Sequence, residues 1–298
     1  MASPQVVLIT GASTGFGRLF AETLARHGHI VFATMRDPAV RNAANANQLR
    51  TLVGKESLQI NILEMDVTDE ISVDRVVHEC IGRAGRIDAV INNAGYGIVG
   101  LAEATTVAQA RQLFETNFFG VLRVNRAVLP FMRKQRSGLL LHVSSLAGRV
   151  VLPGFSIYTA TKFALEALAE AYRYELAGQG IESCILEPGA YQTAIFGSMV
   201  TSADHVRAET YGAAAKIPEK VNATLLSTGG NPQDVADAVL SILQTPAGQR
   251  QVRYRVSTVD PGVDAINDLC AQVQARSLDR FGLAAETTFT QQSAASAG

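Results

Sequence analysis

The chain has 298 residues, of which 47% are hydrophobic and 18% are charged, as in folded globular proteins rather than disordered ones. Its formal net charge is −1, so no overall basic field exists to hold nucleic acid or an anionic membrane surface. We therefore expect a soluble protein without a nucleic-acid partner, and its length permits a single large α/β domain.

The N-terminal residues and the cysteines predict a cytoplasmic protein. Met1–Gln5 leads into an apolar run without a basic leader, and no stretch approaches the roughly 20 apolar residues of a membrane span. Cys80, Cys184 and Cys270 are odd in number and lack metal-type or redox-type spacing. We expect an unprocessed chain without a metal site, in a reducing cytoplasm.

Short apolar runs alternate with longer stretches of helical periodicity. Runs of this uniformly apolar kind predict strands that are buried on both faces, as in a parallel sheet covered by helices. The six predicted strands are Gln5–Thr10, His29–Met35, Leu58–Glu64, Ala89–Asn92, Leu139–Val143 and Glu182–Leu186. Their alternation with helices predicts a Rossmann-type doubly wound parallel sheet.

Two long helices and a looser C-terminal part complete the pattern. Apolar residues at three- and four-residue steps predict helices over Thr106–Arg136 and Ile157–Leu176. We predict one catalytic domain, residues 1–262, which includes a substrate lid at about 190–230. Residues 263–298 form a C-terminal extension, and its polar tail is expected to be flexible or to dock late.

A glycine-rich segment follows the first predicted strand directly and opens the first predicted helix. Glycines there let the chain turn sharply and let a pyrophosphate approach the backbone, while the helix N-terminus offers free N–H groups and a partial positive charge. An ordinary strand-to-helix turn is the alternative interpretation. The candidate cofactor residues of this turn are Gly11, Ser13, Thr14, Gly15, Phe16 and Gly17.

The end of the second predicted strand indicates the choice of dinucleotide. Arg36 could pair with the 2′-phosphate of NADP(H); otherwise it is a solvated surface residue. Asp37 could cap the next segment or take a ribose, so NADP(H) is favoured and NAD(H) is possible. Asp66, before Val67 at the end of the third strand, either accepts from the adenine amino group or caps the following helix.

Tyr158 and Lys162 stand at i and i+4 near the start of a predicted helix, which places both side chains on one face. A nearby ammonium group favours phenolate and lowers the pKa of a tyrosine, which is ordinarily about 10. Such a phenol can protonate a carbonyl oxygen while hydride arrives at the carbon, or remove the alcohol proton in reverse. The same spacing also occurs in ordinary surface pairs.

Two polar residues accompany this pair. Ser145 follows the strand that ends at Val143, so it lies where parallel strands present ligand sites, and it either holds a substrate oxygen or turns the chain. Asn117 lies inside the long predicted helix, where an amide needs a partner. It is either a packing amide or the holder of a water that relays protons to Lys162.

Together these residues resemble the classical short-chain dehydrogenase/reductases over roughly Val6–Val256. Five motifs agree in order, namely the Thr10–Gly17 turn, Asn92-Asn93-Ala94-Gly95, Asn117, Ser145 with Tyr158-Thr159-Ala160-Thr161-Lys162, and Pro188-Gly189-Ala190-Tyr191-Gln192-Thr193. The segments Val31–Pro38 and Gly15–Gly17 are most similar to the hydroxysteroid and retinol dehydrogenase branch.

The resemblance implies a role for each catalytic residue. Tyr158 would be the general acid/base, Lys162 would lower its pKa and hold the nicotinamide ribose, Ser145 would orient the substrate, and Asn117 would support the proton relay. The implied cofactor residues beyond the glycine-rich turn are Asn93, Ala94, Gly95, Pro188, Gly189, Tyr191 and Thr193. Tyr191 departs from the usual Val or Ile, so its ring could narrow the substrate site.

The expected protein is an NADP(H)-dependent oxidoreductase that interconverts a ketone or aldehyde and an alcohol. An apolar lid suits a bulky apolar carbonyl compound, and family habit implies a homodimer or homotetramer. Besides Ser145, the candidate substrate residues are Phe155, Ile195, Phe196 and Met199. The rival interpretations are an NAD-dependent alcohol dehydrogenase of the same family, a sugar-nucleotide epimerase or dehydratase, and a dinucleotide-sensing regulator that performs no turnover.

Overall fold

Seven parallel strands form the central sheet of the protein, whose computed structural model describes residues 3–193, 199–227 and 229–290. The strands are β1 (Val6–Ile9), β2 (Ile30–Met35), β3 (Ile60–Glu64), β4 (Ala89–Asn92), β6 (Gly138–Val143), β7 (Ile181–Pro188) and β9 (Arg253–Val256). They lie in the order β3-β2-β1-β4-β6-β7-β9. The order reverses between β1 and β4, which leaves a crevice at the carboxyl ends of these strands. The predicted fold class is confirmed.

Helices cover both faces of this sheet. They are α1 (Gly15–Arg26), α2 (Ala43–Glu56), α3 (Glu70–Ala84), α4 (Val107–Phe114), α5 (Gly120–Gln135), α6 (Ser156–Glu175), α7 (His205–Glu209), α8 (Ile217–Ser227), α9 (Gln233–Gln244) and α10 (Val263–Phe281). Side chains of β1 alternate between two buried apolar cores: Val7 and Ile9 pack with α1 and α9, while Val6 and Leu8 pack with α3 and α5. Burial on both faces explains the uniformly apolar strands.

The predicted helix over Thr106–Arg136 is interrupted by a five-residue π-turn, Glu115–Phe119. The start was predicted correctly, because Thr106 caps α4 in a reciprocal pair with Gln109. Asn117 lies at the centre of the widened turn. Such turns are frequent at functional sites because they alter the hydrogen bonding of the backbone. The apolar periodicity continues through the turn, so the pattern alone could not reveal it.

The C-terminal part adds a small second sheet and a long helix. β5 (Ile98–Val99) pairs in parallel with β8 (Val200–Thr201), and β8 belongs to the region predicted as a lid. The extension forms α10, and the described part of the tail contacts the body, where the Thr290 N–H donates to the Ala177 carbonyl at 3.2 Å. Among the described residues, no helix combines the length and the apolar composition that crossing a bilayer requires.

Candidate active site

The glycine-rich turn between β1 and α1 forms a cradle that side chains would fill. Gly11 and Gly15 have positive φ angles of 68° and 58°, which favour glycine. A Cβ on Gly17 would lie 2.4 Å from the Gly11 carbonyl oxygen and 2.5 Å from Asn93 Nδ2. Thr14 begins α1 without a side-chain cap among the described residues, so the first N–H groups of the helix are available. This arrangement fits a pyrophosphate.

The loop after β4 fixes the shape of that turn. The Thr10 hydroxyl accepts from the backbone N–H groups of Asn93 and Ala94, each at 2.9 Å. The Asn93 side-chain amide donates to the carbonyls of Thr10 and Gly11, at 2.9 and 3.0 Å. These four bonds join the carboxyl ends of β1 and β4, on either side of the crevice.

A cavity of about 650 Å³ opens between the glycine-rich turn and the ends of the strands. The predicted cofactor residues on its surface are Gly11, Ser13, Thr14, Gly15, Phe16, Arg36, Asp66, Val67, Asn93, Ala94, Gly95 and Thr193. Sequence reasoning missed a further set, namely Met35, Arg41, Asn42, Met65, Thr68, Tyr96, Gln112, Glu115, Thr116 and Val200. Six predicted cofactor residues are not part of the described lining of the cavity, namely Gly17, Tyr158, Lys162, Pro188, Gly189 and Tyr191.

Two arginines lie at the end of this cavity beside β2. Arg36 and Arg41 are exposed and contribute to the lining. Asp37, with a φ of +44°, accepts from the backbone N–H groups of Val40 and Arg41, at 3.1 and 3.2 Å. The Asp37 carboxylate therefore caps its own loop, as one of the two interpretations held. Arg41 was missed because a basic residue six positions past a strand has no distinctive sequence pattern.

Asp66 also lines the cavity, and it does not cap a helix. Its Oδ1 accepts from the backbone N–H and the hydroxyl of Thr68, at 2.9 and 2.8 Å. The N-cap of α3 is Asp69, whose side chain accepts from the Ile71 N–H at 3.0 Å. The capping interpretation of Asp66 was therefore wrong.

The loop after β7 places Tyr191 and Thr193 differently from each other. Tyr191 is buried in the apolar core, where its ring meets Phe16 edge-on at 5.8 Å. The expectation that this ring narrows the substrate site is wrong, because the ring packs inward against α1. Thr193 lies beside Gly15, because a Cβ added to Gly15 would be 3.8 Å from the Cβ of Thr193. Its buried Oγ1 has no protein hydrogen-bond partner within the described part of the chain, so it is free for a ligand.

Tyr158 and Lys162 lie together on α6, as their spacing predicts. The Lys162 side chain is buried, with the residue 7% exposed, and its Nζ lies 5.7 Å from the centre of the Tyr158 ring. Nζ donates to the Val143 carbonyl at 2.8 Å. Ser145 follows β6 and accepts from the Ala147 N–H at 3.1 Å. The three residues thus meet at the carboxyl end of β6.

Burial controls the ionisation of this pair. It raises the pKa of Tyr158 to about 12, and a hydrogen bond with Ser145 opposes the rise. It also lowers the pKa of Lys162 to about 8, against the attraction of Glu166. Burial has the larger effect on the Tyr158 pKa, because it destabilises the phenolate more than the Ser145 hydrogen bond stabilises it. The lowering of this pKa by Lys162 stays a prediction. At neutral pH the phenol keeps its proton and is ready to donate it.

Asn117 uses its side chain to hold the cavity wall. The residue is 1% exposed, and its Nδ2 donates to the Tyr96 carbonyl and the Thr161 hydroxyl, at 3.0 and 3.1 Å. Its Oδ1 accepts from the Tyr96 N–H at 3.1 Å. The Thr161 hydroxyl donates in turn to the Tyr158 carbonyl at 2.7 Å. The side chain therefore links the cavity loop to α6 as a packing amide would, and the proton-relay role of Asn117 stays a prediction.

Asn117→Ala is expected to lower both stability and affinity for the dinucleotide. The change removes the Asn117 partner of the half-buried N–H and carbonyl of Tyr96, at a cost of about 1 kcal/mol for each hydrogen bond, and releases the cavity loop. Thr161→Val is the control, because it removes one bond of Asn117 and leaves both bonds to Tyr96. Thermal unfolding should show a lower Tm for both variants. NADPH titration should show weaker binding for Asn117→Ala alone; equal affinity in both variants would contradict this role.

The candidate substrate residues do not all meet at the site. Phe155 is 1% exposed, and its backbone pairs with Gly100 in an isolated bridge; the described lining of the cavity does not include it. Met199 packs against Gly97, where a Cβ would lie 3.5 Å from Met199 Cγ. Ile195 and Phe196 lie outside the described residues.

Comparison with known proteins places this site in a family. The model of the family described as short chain dehydrogenase matches residues 5–204. A 3-ketodihydrosphingosine reductase of Bacteroides thetaiotaomicron is 36% identical over 244 residues, 80% of this chain and 84% of the relative. Human retinol dehydrogenase 8 is 31% identical over 298 residues, 94% of this chain and 92% of the relative.

A solved structure gives the same answer for the fold. The crystal structure of a short-chain dehydrogenase from Streptomyces avermitilis matches this structure with a TM-score of 0.75. The two sequences are 33% identical, and the match covers 97% of this chain and 100% of that chain. The protein belongs to the short-chain dehydrogenase/reductase family of oxidoreductases.

Proposed function

We propose that the protein is an NADP(H)-dependent carbonyl reductase that interconverts a ketone or aldehyde and an alcohol. The observation that carries this proposal is the meeting of Tyr158, Ser145 and buried Lys162 at the carboxyl end of β6. The glycine cradle and the cavity of about 650 Å³ fit the dinucleotide. A regulator without turnover would need none of the three reactive groups.

The proposed chemistry is proton transfer at the Tyr158 hydroxyl. When bound, the nicotinamide supplies a hydride to the substrate carbon, or accepts one in reverse. Ser145 orients the substrate oxygen, and the Tyr158 hydroxyl donates its proton to that oxygen as the carbonyl π electrons move onto it. Lys162 would hold the nicotinamide ribose, and its positive charge stabilises the phenolate that remains. In the alcohol direction the same phenolate takes the proton back.

NADP(H) is the proposed cofactor because of the charges at the end of β2. Arg36 and Arg41 both contribute to the cavity there, and two guanidinium groups can pair with a 2′-phosphate. The Asp37 carboxylate, which would be the acceptor for an NAD ribose, is occupied by the N–H groups of its own loop. The balance of charge therefore favours the phosphorylated cofactor.

Arg36→Asp should weaken NADPH binding by about 10- to 100-fold, since a hydrogen bond to a charged group contributes about 1.5–3 kcal/mol. NADH binding should improve, because the new carboxylate can accept from ribose hydroxyls. Titration of both cofactors against both proteins measures the change. Arg50→Asp is the control, because this exposed arginine of α2 changes the net charge equally and is not part of the described lining. An unchanged preference in Arg36→Asp would remove Arg36 from the cofactor site.

A bulky apolar carbonyl compound is the proposed substrate class. Val200 and Tyr96 bring apolar surface to the cavity, beside the small sheet of β5 and β8. The names of two relatives, 3-ketodihydrosphingosine reductase and retinol dehydrogenase 8, point to long apolar compounds. NADPH oxidation should be measured on a ketone series of increasing chain length, with retinal and a steroid ketone. Rates that fall with chain length would contradict this class.

We also propose a cytoplasmic homodimer or homotetramer, as the habit of the family implies. Cys80, Cys184 and Cys270 are free thiols within the described residues, which suits a reducing compartment. Light scattering after size-exclusion chromatography measures the assembly. A monomer that turns over at full rate would contradict the oligomer.

A further inference from the structure

A cluster of buried charges lies behind Lys162, outside the residues that the proposed reaction uses. Glu166 stands one helical turn beyond Lys162 on α6, so both side chains share a face, and it is 2% exposed. Glu187, near the end of β7, is 0% exposed. Arg253 of β9 lies between them, with its Nε 2.9 Å from Glu166 Oε2 and 3.5 Å from Glu187 Oε1. Two enclosed carboxylates thus share one guanidinium group.

Every element packed around this cluster contributes a polar or charged group. α6 contributes Glu170, whose Oε2 accepts from Arg253 Nη2 at 2.6 Å. The segment after β6 contributes Arg149, whose charge acts on both Glu166 and Glu187. α10 contributes Asn267, whose Nδ2 donates to Glu187 Oε2 at 2.7 Å.

Glu166 also lies directly beneath the loop that carries the serine. A Cβ on Gly148 would be 2.6 Å from Ser144 Oγ and 2.9 Å from Glu166 Cγ. Ser144 precedes Ser145, and its N–H donates to the Leu186 carbonyl at 2.8 Å. Glu166 therefore fills the space between the helix of Lys162 and the loop of Ser145, and only an isosteric replacement leaves the packing unchanged.

Lys162 needs a negative charge nearby to remain an ammonium ion. Its Nζ hydrogen bonds to the neutral Val143 carbonyl, and burial by itself favours the uncharged amine. Glu166 acts against this loss by attraction through space, which raises the pKa of Lys162. Burial raises the pKa of the Glu166 carboxyl itself, and Arg253 opposes that rise by its charge and its hydrogen bond.

We propose that Glu166 is a positioning residue that keeps Lys162 protonated at neutral pH, with Arg253 and Glu187 setting the charge of Glu166 itself. The consequence for catalysis rests on the proposed function, in which the ammonium ion stabilises the phenolate of Tyr158. The effect on Lys162 can be measured without turnover, so the two proposals can fail separately.

The test is the titration of Lys162 by NMR in the full chain labelled with ε-¹³C lysine. The chain has five lysines, Lys55, Lys134, Lys162, Lys216 and Lys220, so the spectrum is simple, and Lys162→Met assigns the resonance. Glu166→Gln should lower the pKa of Lys162 by about one unit or more, because it removes an opposite charge from a desolvated site. An unchanged Lys162 titration would overturn the proposal.

Glu170→Gln is the matched control for Glu166→Gln. It makes the same chemical change on the same helix and also removes a partner of Arg253, but Glu170 lies two turns from Lys162 and is partly exposed. The Lys162 titration should be the same in this variant as in the unaltered protein. A shift equal to that of Glu166→Gln would show that the effect passes through Arg253 and the fold, and would also overturn the proposal.

Two further measurements decide the question if Glu166→Gln does not fold. Glu166→Asp keeps the charge, so Lys162 should titrate within a few tenths of a unit of the unaltered protein, and a shift as large as one unit would contradict the proposal. In the unaltered protein, burial and the neighbouring Glu166 raise the pKa of Glu187 to about 7. The titration of Glu187 should therefore appear as an additional small step in the Lys162 resonance near neutral pH. The absence of that step would also contradict the proposal.

Activity provides the catalytic readout. Loss of a negative charge makes Lys162 release its proton at lower pH, so the alkaline limb of kcat/KM should move to lower pH in Glu166→Gln and stay in place in Glu170→Gln. If the pKa of Lys162 falls but the alkaline limb of kcat/KM does not move, Glu166 has no effect on catalysis through Lys162. If the pKa of Lys162 falls in Glu166→Gln but the unaltered protein reduces no carbonyl compound, Glu166 keeps its role and the proposed function is refuted.

Discussion

Tyr158→Phe is expected to abolish carbonyl reduction while NADPH still binds. The change removes the hydroxyl that donates the proton and leaves the ring in place, and general acid catalysis contributes about 10²- to 10⁴-fold to such rates. The loss should appear in kcat, because the proton moves only during the reaction. NADPH oxidation measures turnover, and the fluorescence of bound NADPH measures affinity.

Tyr174→Phe is the control for Tyr158→Phe. Tyr174 lies on the same helix, α6, and its hydroxyl hydrogen bonds to Glu170 at 3.1 Å, away from the Lys162 ammonium. The same atom is removed, so a general effect of the substitution on α6 would appear in both variants. Turnover should persist in Tyr174→Phe. A Tyr158→Phe variant that keeps most of its activity would mean that another group delivers the proton.

Gly17→Ala should lower the affinity for the dinucleotide by about 10- to 100-fold. A Cβ at this position would lie 2.4 Å from the Gly11 carbonyl oxygen, so the glycine-rich turn must move to accept it, and overpacking of this kind costs about 1–3 kcal/mol. The affinity is expected to fall because the displaced turn is the proposed pyrophosphate site. Titration with NADPH and thermal unfolding with and without NADPH measure both effects.

Gly82→Ala makes the same substitution in α3, where a Cβ would have no heavy atom within 4 Å. It should stabilise the protein by about 1 kcal/mol, since alanine is the better helix former, and should leave NADPH affinity unchanged. The two Gly→Ala changes are thus expected to change stability in opposite directions. This difference separates the steric effect at Gly17 from the general effect of alanine on helix propensity. If Gly17→Ala bound NADPH as tightly as Gly82→Ala, the turn would not be the pyrophosphate site.

Local patterns account for what the sequence could predict. The six strands were identified because burial on both faces requires continuous apolar runs, and the turn at Gly11–Gly17 because a tight strand-to-helix turn requires glycine. β9 was missed because Arg253 and Arg255 break the apolar pattern, although both lie against acidic partners. An ion-paired strand has the same alternation as an exposed one, so the sequence alone does not distinguish them.

Properties that depend on distant contacts could not be predicted. The pKa of Tyr158 depends on desolvation, which the i to i+4 spacing with Lys162 does not contain. The inward ring of Tyr191 depends on Phe16, far away in the chain. Asn117 was found as a polar residue in an apolar helix, but its partner Tyr96 could be identified only in three dimensions.

The contact between Asn267 and Glu187 joins residues that lie 80 positions apart, and it has a consequence for the order of synthesis. When the ribosome has produced β9, all seven strands of the central sheet have been made, but α10 has not. Glu187 then lacks its amide partner, whose hydrogen bond favours the charged form of the carboxyl. The pKa of Glu187 therefore depends on the docking of α10 against the sheet, because the Asn267 amide lowers it.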